Sequence, residues 1–486
     1  MTRPTTASLV WFRDDLRVRD HPALAAAWAK GGPIIAVYVM DEAAARRPLG
    51  AAARWWLHGS LVDLHKNLAA LGIPLVLRRG ATSAILNELV DQTGATSLFH
   101  GRAVDDVAVR IEADISEALC GKGIEITACL TNLLYGADGV RSASGDPYRV
   151  FSPFWRAALA SKQPRPPIAP LRGQRAGAGE VSGDDLAAWH LLPSRPDWAA
   201  HFVAHGTPGE EGAATRLDAF TNEELRGYAD NRDRPDLPST SRLSAHLRFG
   251  DISPHQVWQA ALVAQERGLA SSRDVQKFQA ELGWREFAHH LLWQFPDLER
   301  RNFQPRFDAF PWRDDEPAFI AWTRGMTGYP IIDAGMRQLW TTGFMHNRVR
   351  MIVASFLVKH LLIDWRRGEQ WFWGTLVDAC PANNTASWQW VAGTGADAAP
   401  YFRIFNPLLQ GVKFDPQGDY VRRFVPELAL LPADIIHRPW EAGGLVLADA
   451  GVRLGKTYPY PVVSLEEGRA RALTALACIQ DERRAV

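Results

Sequence analysis

The first 130 or so residues alternate short apolar runs with amphipathic segments, and this alternation restricts the fold more than any other feature of the chain. The apolar runs are candidate strands: Leu9–Phe12, Ile34–Met40, Leu75–Arg78, Ser97–His100 and Glu125–Cys129. The segments between them, such as Ala51–Leu71 and Thr82–Gln92, have helical patterns. Strands that alternate with helices predict βαβ units and a parallel, doubly wound sheet. The glycine fingerprint of dinucleotide-binding sheets is absent after the first strand, so we expect no usual NAD or FAD site there.

The remainder of the chain predicts a linker and a helical region. Residues 162–196 are rich in Pro, Gly, Arg and Ser, which is typical of an extended linker. Helix starts are indicated by Gly209-Glu210-Glu211 after Pro208 and by Ser253-Pro254. We therefore expect an α/β + all-α protein, with an α/β domain over residues 1–135, an interdomain linker over 136–208 and an all-helical domain over 209–486.

Charge and cysteine content exclude some classes of protein. Lys+Arg and Asp+Glu both number 54, so the net charge gives no argument for nucleic-acid binding, although a local basic face stays open. The four cysteines (Cys120, Cys129, Cys380 and Cys478) have no CxxC spacing, so we expect no zinc site, redox motif or disulfide framework, and no metal. Only four apolar residues precede charge at the N-terminus, and no run reaches membrane-spanning length. We expect a cytoplasmic protein that does not enter membranes.

Tryptophan is unusually common, with 19 residues against nine tyrosines, and this calls for a large aromatic interior, a π-system ligand or both. Trp388 and Trp390 stand two apart in the almost uncharged run NNTASWQWVAGTGADAAPYFRIFNP (383–407). Side chains two apart on a helix point in different directions, so one indole could line a cavity while the other enters the protein. A tryptophan-rich core segment is an equally open alternative.

Two further segments carry candidate site residues. Thr240 to Ser244 precede an apolar helical pattern, and hydroxyls at a helix start can bind phosphate; the alternative is an ordinary N-cap with a solvated Arg242. Glu281, Trp284 and Arg285 have the spacing of one helical face and could line a cavity for a flat ligand with polar edges. The alternative is an exposed Glu281–Arg285 ion pair, which contributes little to stability.

A third candidate segment is GFMHNRVRMIVASFLVKHLLIDW (343–365), which sets Asn347 and Met351 on one helical face and points Arg348 and Arg350 elsewhere. Arginines beside a very apolar helix suggest phosphate contacts, with solvated arginines as the open alternative. His289, His290 and His346 lack metal-ligand spacing, and we interpret them as structural residues or pocket edges.

Several of these blocks together resemble the photolyase/cryptochrome family. They are LVWFRDDLRVRDHPAL (9–24), TSRLS (240–244), WREF (284–287), TGYPIIDAGMRQL (327–339), HNRVRM (346–351), SWQW (387–390) and DAAPYFRIFNP (397–407). They occur in family order over nearly the whole chain, and the likeness is greatest to bacterial photolyases that repair cyclobutane pyrimidine dimers. The resemblance implies that the α/β domain is an antenna domain and that the helical domain binds FAD.

The resemblance also implies the residues that hold FAD. Tyr228, Thr240, Ser241, Arg242, Leu243 and Ser244 match the family's contacts to the FAD phosphates, and Arg285, Arg350, Asp378 and Asn384 match residues around the isoalloxazine. Arg350 and Asp378 resemble an ion pair beside flavin N5, and Asn384 resembles the residue that faces N5. An asparagine there is similar to photolyases and suits a reduced flavin. The family commonly has a second acidic residue where Cys380 stands.

Substrate and relay residues follow from the same resemblance. Glu281, Trp284, Asn347, Met351 and Trp390 match the pattern that holds a flipped-out pyrimidine dimer. The histidines that (6-4) photolyases have at two of these positions are absent. Trp388, Trp365 and Trp312 match the tryptophan chain that relays electrons to photoexcited flavin, with Trp340 as a side branch.

DNA contacts and an antenna complete the implied set. Arg232, Arg348 and Arg403 match positions that hold phosphates beside the lesion. A folate antenna (methenyltetrahydrofolate) with Asp106 as a contact is one expectation, but HGRAVDDV (100–107) departs from the family's pattern, so an empty site or another chromophore stays open.

We therefore predict a monomeric, light-driven enzyme that repairs cyclobutane pyrimidine dimers in UV-damaged DNA, with reduced FAD as electron donor. The alternative is a blue-light photoreceptor of cryptochrome type without repair activity. A flavin protein that transfers electrons in the dark is a third hypothesis, which the missing nicotinamide fingerprint disfavours.

Overall fold

The computed structural model describes residues 6–41, 47–175 and 181–481. They form two compact units. Unit 1 comprises the described residues of Met1–Arg226 and of Ser241–Pro296, and unit 2 those of Gly227–Thr240 and of Asp297–Val486. Unit 1 therefore extends beyond the α/β domain expected over 1–135 and takes in helices of the region expected to be all-helical.

A parallel five-stranded sheet forms the centre of unit 1. The strands are β1 (Ser8–Phe12), β2 (Ile34–Met40), β3 (Leu75–Arg79), β4 (Ser97–Gly101) and β5 (Glu125–Cys129), in the order β3-β2-β1-β4-β5. Val10 of β1 pairs with Ala36 on one side and Phe99 on the other. All residues of β1, β2 and β4 are buried, as expected for a parallel sheet that helices cover on both faces. The predicted doubly wound sheet is confirmed, and each predicted strand ends within one residue of the observed one.

Nineteen α-helices lie in the described part of the chain. The first ten are α1 (Pro22–Lys30), α2 (Ala51–Ala70), α3 (Thr82–Thr93), α4 (Asp106–Cys120), α5 (Phe151–Ser161), α6 (Glu210–Ala219), α7 (Tyr228–Asn231), α8 (Ser244–Phe249), α9 (Pro254–Glu266) and α10 (Ser272–Gln294). The others are α11 (Glu316–Thr323), α12 (Pro330–Thr342), α13 (Asn347–Ser355), α14 (Trp365–Thr375), α15 (Pro381–Ala392), α16 (Pro407–Phe414), α17 (Asp419–Phe424), α18 (Gly444–Asp449) and α19 (Leu465–Asp481). No helix in the described ranges is both long and apolar enough to cross a bilayer.

The predicted helix starts are confirmed, but the predicted linker contains a helix. Ser253 caps α9 in a capping box with Gln256, and Gly209 precedes α6. Helix α5 lies inside the expected linker 136–208. It contains Pro153, but this proline is in the first helical turn, where a proline is compatible with a helix. The described residues of 162–196 contain no α-helix or strand. Backbone hydrogen bonds join Arg175 to Leu71 and Asp184 to Leu77.

An apolar core built from α12 to α15 and α17 occupies unit 2. Trp322, Trp365 and Trp388 are buried in it. Gly368 of α14 packs directly against the indole of Trp388, where a Cβ atom would collide with the ring. The core therefore fixes the plane of an indole that belongs to the sequence run 383–407.

Candidate functional site

Trp284, a predicted lesion-binding residue in unit 1, stacks on Phe151 of α5. The ring centroids are 3.8 Å apart and the ring planes differ by 9°. Trp155 continues the stack behind Phe151, with a centroid distance of 6.3 Å and an angle of 13°. One face of the half-buried Trp284 indole is thus covered, so a planar ligand can stack only on the opposite face.

Glu281 and Arg285 lie on the same face of α10, as predicted, but differ in burial. Oε1 of Glu281 is 3.6 Å from Nζ of Lys277. The guanidinium of Arg285 donates to the carbonyl oxygens of Asn132 at 2.7 Å and Leu247 at 3.1 Å, and only 11% of its side chain is exposed. The alternative of an exposed ion pair is therefore wrong, because Arg285 is bound to backbone carbonyls inside unit 1.

The predicted phosphate contacts Thr240 to Ser244 lead into α8, which begins at Ser244, but no hydroxyl caps that helix. Leu243 occupies the N-cap position without a side-chain hydrogen bond. The carbonyl oxygen of Ser241 accepts a bond from Nε of Arg216 at 2.8 Å. Arg242 is exposed and has a positive φ of 51°. The alternative of an ordinary serine or threonine cap is wrong, and the phosphate contacts stay a prediction.

Arg350 and Asp378 form the predicted ion pair in unit 2. Nη1 and Nη2 of Arg350 donate to Oδ1 and Oδ2 of Asp378 at 3.2 and 2.8 Å, and Nε donates to the carbonyl of Met345 at 2.7 Å. Two parallel bonds fix both the guanidinium and the carboxylate. The alternative of a solvated Arg350 is wrong, because its three donor nitrogens are all engaged.

Asn384 on α15 is held by a residue that the sequence did not indicate. Its Nδ2 donates to Oε1 of Glu369 at 2.7 Å and to the carbonyl of the same residue at 3.1 Å. Both side chains are buried. Because Glu369 engages the amide nitrogen, the carbonyl end of Asn384 is the end that can bind a ligand.

The predicted relay tryptophans differ in burial. Trp388 and Trp365 are buried, whereas Trp312 is half-buried and packs against the same core. Nε1 of Trp388 has no hydrogen-bond partner among the described residues, and that of Trp365 donates to Oδ1 of Asn302 at 2.9 Å. Trp340, the expected side branch, is exposed and stacks on Trp371 at 6.1 Å.

The other predicted lesion-binding residues lie on two helices of unit 2. Asn347 begins α13 and is exposed, and Met351, one turn later, is half-buried. Trp390 on α15 is half-buried, whereas Trp388 is buried, so the two indoles point in different directions as predicted. His346 caps α13 through Nδ1, which accepts from the backbone nitrogen of Arg348 at 3.2 Å. Burial lowers the pKa of His346 to about 4, so the imidazole is neutral at pH 7.

Two of the three predicted DNA arginines are paired with an acidic residue. Asp233 accepts from Nη2 of Arg348 at 2.6 Å and from Nη1 of Arg232 at 3.4 Å. Arg403 is exposed, and its carbonyl accepts from Nζ of Lys359 at 2.9 Å. The alternative of a solvated Arg348 is therefore wrong.

The remaining predicted residues have simpler surroundings. Tyr228 is buried at the start of α7, and the guanidinium carbon of Arg232 lies 5.9 Å from its ring centroid. Thr240 is half-buried in unit 2. Asp106 lies in the first turn of α4, where it is exposed and pairs with Arg110 at 3.0 Å.

Two family models match the chain. The model described as DNA photolyase covers residues 8–171, and the one described as the FAD binding domain of DNA photolyase covers residues 278–477. A deoxyribodipyrimidine photo-lyase of Agrobacterium fabrum is 50% identical over 483 residues, which is 99% of each chain. The chain belongs to the DNA photolyase family.

Solved structures and cryptochromes extend this likeness. A class III photolyase from Agrobacterium tumefaciens superposes with a TM-score of 0.96 at 50% identity, with 99% of each chain covered. Cryptochrome-1 of Arabidopsis thaliana is 38% identical over 97% of this chain and 70% of its own length. The parallel sheet and the helical domain are thus those of the photolyase/cryptochrome family.

The polar groups of unit 2 fit the edge of the flavin that the family's FAD-binding domain accommodates. An isoalloxazine edge alternates carbonyl acceptors with N–H donors. Each Nη of Arg350 keeps a second N–H that can donate, and the carboxylate of Asp378 keeps lone pairs that can accept. Asn384 presents its carbonyl end because Glu369 engages its nitrogen. These three residues would hold the flavin edge.

Four residues that hold the predicted site residues in place were not identified by the sequence analysis. They are Phe151 behind Trp284, Glu369 beside Asn384, Asn302 beside Trp365, and Gln389, which lies between Trp388 and Trp390. Gln389 is fully buried, and an amide between two indoles in an uncharged run was a usable sequence signal. Glu369 and Asn302 had none, because their partners are distant in the chain.

Replacing Glu369 by leucine is expected to lower both stability and flavin retention. The variant leaves the buried Nδ2 of Asn384 without its side-chain acceptor, which costs about 1–3 kcal/mol of unfolding free energy. Urea unfolding and the ratio of flavin to protein absorbance measure the two effects. Glu369→Gln keeps an acceptor oxygen and should lose less of each. Equal values for Glu369→Leu and the unchanged protein would contradict the positioning of Asn384.

Proposed function

We propose that this protein is a cyclobutane pyrimidine dimer photolyase, which repairs UV-damaged DNA in the light. The observation that carries the proposal is the buried Asn384–Glu369 pair, which presents a neutral amide carbonyl in a chain that is 50% identical to a deoxyribodipyrimidine photo-lyase. A neutral amide accepts a hydrogen bond and does not donate a proton, which suits a flavin kept reduced. When bound, reduced FAD supplies on illumination the electron that splits the dimer and is then returned.

The lesion would be held by stacking and by polar edges. Trp284 is backed by Phe151, which keeps its indole plane fixed for stacking on an extruded base. Trp390 supplies a second half-buried indole, and Glu281 and Asn347 supply groups that hydrogen-bond pyrimidine edges. Met351 would add an adaptable apolar contact.

The relay and the DNA contacts serve different steps. Trp312, Trp365 and Trp388 would pass electrons inward from the half-buried Trp312 to the buried Trp388. Arg403 would contact a phosphate directly, whereas Arg232 and Arg348 would exchange part of their pairing with Asp233 for phosphate. Binding should therefore weaken as salt rises.

A folate antenna remains part of the proposal. Asp106 is the candidate contact, and it would have to act alongside its partner Arg110. We further propose that the protein works as a monomer in the cytoplasm, where its DNA substrate is found. An absorption spectrum of the purified protein tests the antenna, because a folate band adds to that of the flavin.

The function is tested by illuminating the reduced protein with an oligonucleotide that contains one thymine dimer. We expect absorbance near the thymine maximum to recover in the light and not in the dark. Unchanged absorbance would overturn the proposal. A photoreceptor, which the 38% identity to Cryptochrome-1 keeps as the second candidate, would instead bind damaged and undamaged DNA equally and change its association with another protein in the light.

Glu281→Ala is expected to lower repair more than it lowers FAD content. Loss of a hydrogen bond from a charged group removes about 1.5–3 kcal/mol, so repair per flash should fall about tenfold or more. Single-flash repair and flavin absorbance of the same sample compare the two. Glu266→Ala, an exposed glutamate at the end of α9, is the matched control. Parallel loss of flavin and repair would show that Glu281 acts on the fold.

A further inference from the structure

The indole nitrogen of Trp365 begins a chain of hydrogen bonds that ends at a surface carboxylate of unit 2. Nε1 donates to Oδ1 of Asn302 at 2.9 Å, and Nδ2 of Asn302 donates to Oδ1 of Asp308 at 2.7 Å. Trp365 and Asn302 are buried, and Asp308 is exposed. Asn302 therefore presents to the indole a carbonyl oxygen that a negative charge polarises.

The orientation of Asn302 is fixed from both sides by Gln389 of α15. Nε2 of Gln389 donates to the carbonyl of Arg301 at 2.9 Å, and Oε1 accepts from the backbone nitrogen of Phe303 at 2.9 Å. Gln389 is fully buried. The loop on either side of Asn302 is thus held by the side chain of Gln389, which leaves the Asn302 amide placed between Trp365 and Asp308.

A pair of opposite charges flanks Trp365 in the sequence. The guanidinium carbon of Arg366 lies 4.8 Å from the Trp365 ring centroid, where a positive charge opposes oxidation of the indole. Nη1 of Arg366 pairs with Oδ2 and Oδ1 of Asp364 at 3.1 and 3.3 Å, and this carboxylate offsets its charge. The charge of Asp308 reaches the indole through the two hydrogen bonds of Asn302.

We propose that Asn302 is a positioning residue of the relay that stabilises the oxidised form of Trp365. The inference rests on the proposed relay. In the step concerned, one electron passes from Trp365 to oxidised Trp388, whose own electron has gone to photoexcited flavin. No bond breaks, and the indole proton stays on Nε1, shared with Oδ1 of Asn302.

The two indoles differ in what oxidation does to their N–H groups. A hydrogen bond with an ionised donor is roughly twice as strong as one between neutral groups, so the bond from Trp365 to Asn302 strengthens when Trp365 is oxidised. Nε1 of Trp388 has no partner in the described part of the chain and gains nothing comparable. The positive charge is therefore more stable on Trp365 than on Trp388.

Two variants test the inference by photoreduction of the FAD-loaded protein. Asn302→Leu removes the hydrogen-bond acceptor at similar side-chain volume and is expected to slow photoreduction about fivefold. Asp308→Asn removes only the negative charge and is expected to slow photoreduction about twofold. Transient absorption should show less oxidised Trp365 in both. Repair by either protein after chemical reduction should equal that of the unchanged protein. Asp449→Asn, an exposed carboxylate on α18, is the matched control and should change nothing.

A second measurement does not depend on light. The indole N–H resonance of Trp365, assigned by its loss in Trp365→Phe, should move upfield and exchange faster in Asn302→Leu. Full photoreduction by Trp365→Phe would overturn the proposed relay itself. The role of Asn302 would be overturned, and the relay kept, by a different result. In that result Trp365→Phe loses photoreduction, whereas Asn302→Leu and Asp308→Asn photoreduce FAD as the unchanged protein does. Should Asn302→Leu fail to fold, Asp308→Asn decides, because its side chain is exposed.

Discussion

Trp388→Phe is expected to slow photoreduction of oxidised FAD by roughly a hundredfold, equivalent to about 2.7 kcal/mol on the barrier, and to leave repair by chemically reduced protein within twofold. Phenylalanine is far harder to oxidise than indole, so the step that feeds the flavin is lost. Repair by pre-reduced protein does not use this step. The substitution also keeps an aromatic ring beside Phe372, which lies 5.0 Å from the Trp388 ring. Flavin bleaching under blue light and thymine recovery in the same preparation measure the two activities.

The matched control for this prediction is Trp373→Phe, which also removes a buried indole from the core of unit 2. It should lose stability without losing photoreduction. Equal loss of photoreduction and repair in Trp388→Phe would mean that this indole supports the site as a whole, and the separation of relay from repair would then be wrong.

Trp390→Ala is expected to weaken binding of dimer-containing DNA by about 5- to 150-fold, because stacking of a base on an aromatic side chain contributes about 1–3 kcal/mol. Trp390 is half-buried, so its ring has a face for a ligand and a face for the protein. Affinity for undamaged DNA should stay unchanged, since no base is extruded from it. Fluorescence anisotropy in the dark, with labelled damaged and undamaged duplexes, measures both affinities.

Trp340→Ala serves as the control, because Trp340 is 56% exposed and stacks on Trp371. It should bind damaged DNA as the unchanged protein does. An equal fall in affinity for both duplexes in Trp390→Ala would place this indole in general DNA binding and not in lesion recognition.

The α/β part of the fold could be predicted almost residue by residue, because buried parallel strands are continuous apolar runs. The extent of unit 1 could not. Its last helix, α10, is tied to it through Glu286, whose carboxylate accepts from the backbone nitrogens of Leu134 and Tyr135 at 2.9 and 3.1 Å. These two bonds join residues that are 152 and 151 positions apart in the sequence, so no local sequence pattern indicates them.

The placement of candidate site residues could be predicted where the spacing within one helix carries the information. The shared face of Glu281, Trp284 and Arg285 is an example, as is the different burial of Trp388 and Trp390. What holds these residues was not predictable. The pairing of Arg348 with Asp233 spans 115 positions, and the one between Asn384 and Glu369 spans 15.

Gln389 has a consequence for protein engineering. Its amide joins α15 to the segment 298–303 through hydrogen bonds of 2.7 to 2.9 Å to backbone atoms of Leu298, Arg301 and Phe303. Grafting the Trp-Gln-Trp tripeptide onto another scaffold would transfer both indoles without the segment 298–303, whose hydrogen bonds to Gln389 help to orient the helix that carries them. The smallest unit that can be transferred is therefore two segments, α15 and residues 298–303. Mutant libraries that vary one of these segments should vary the other with it.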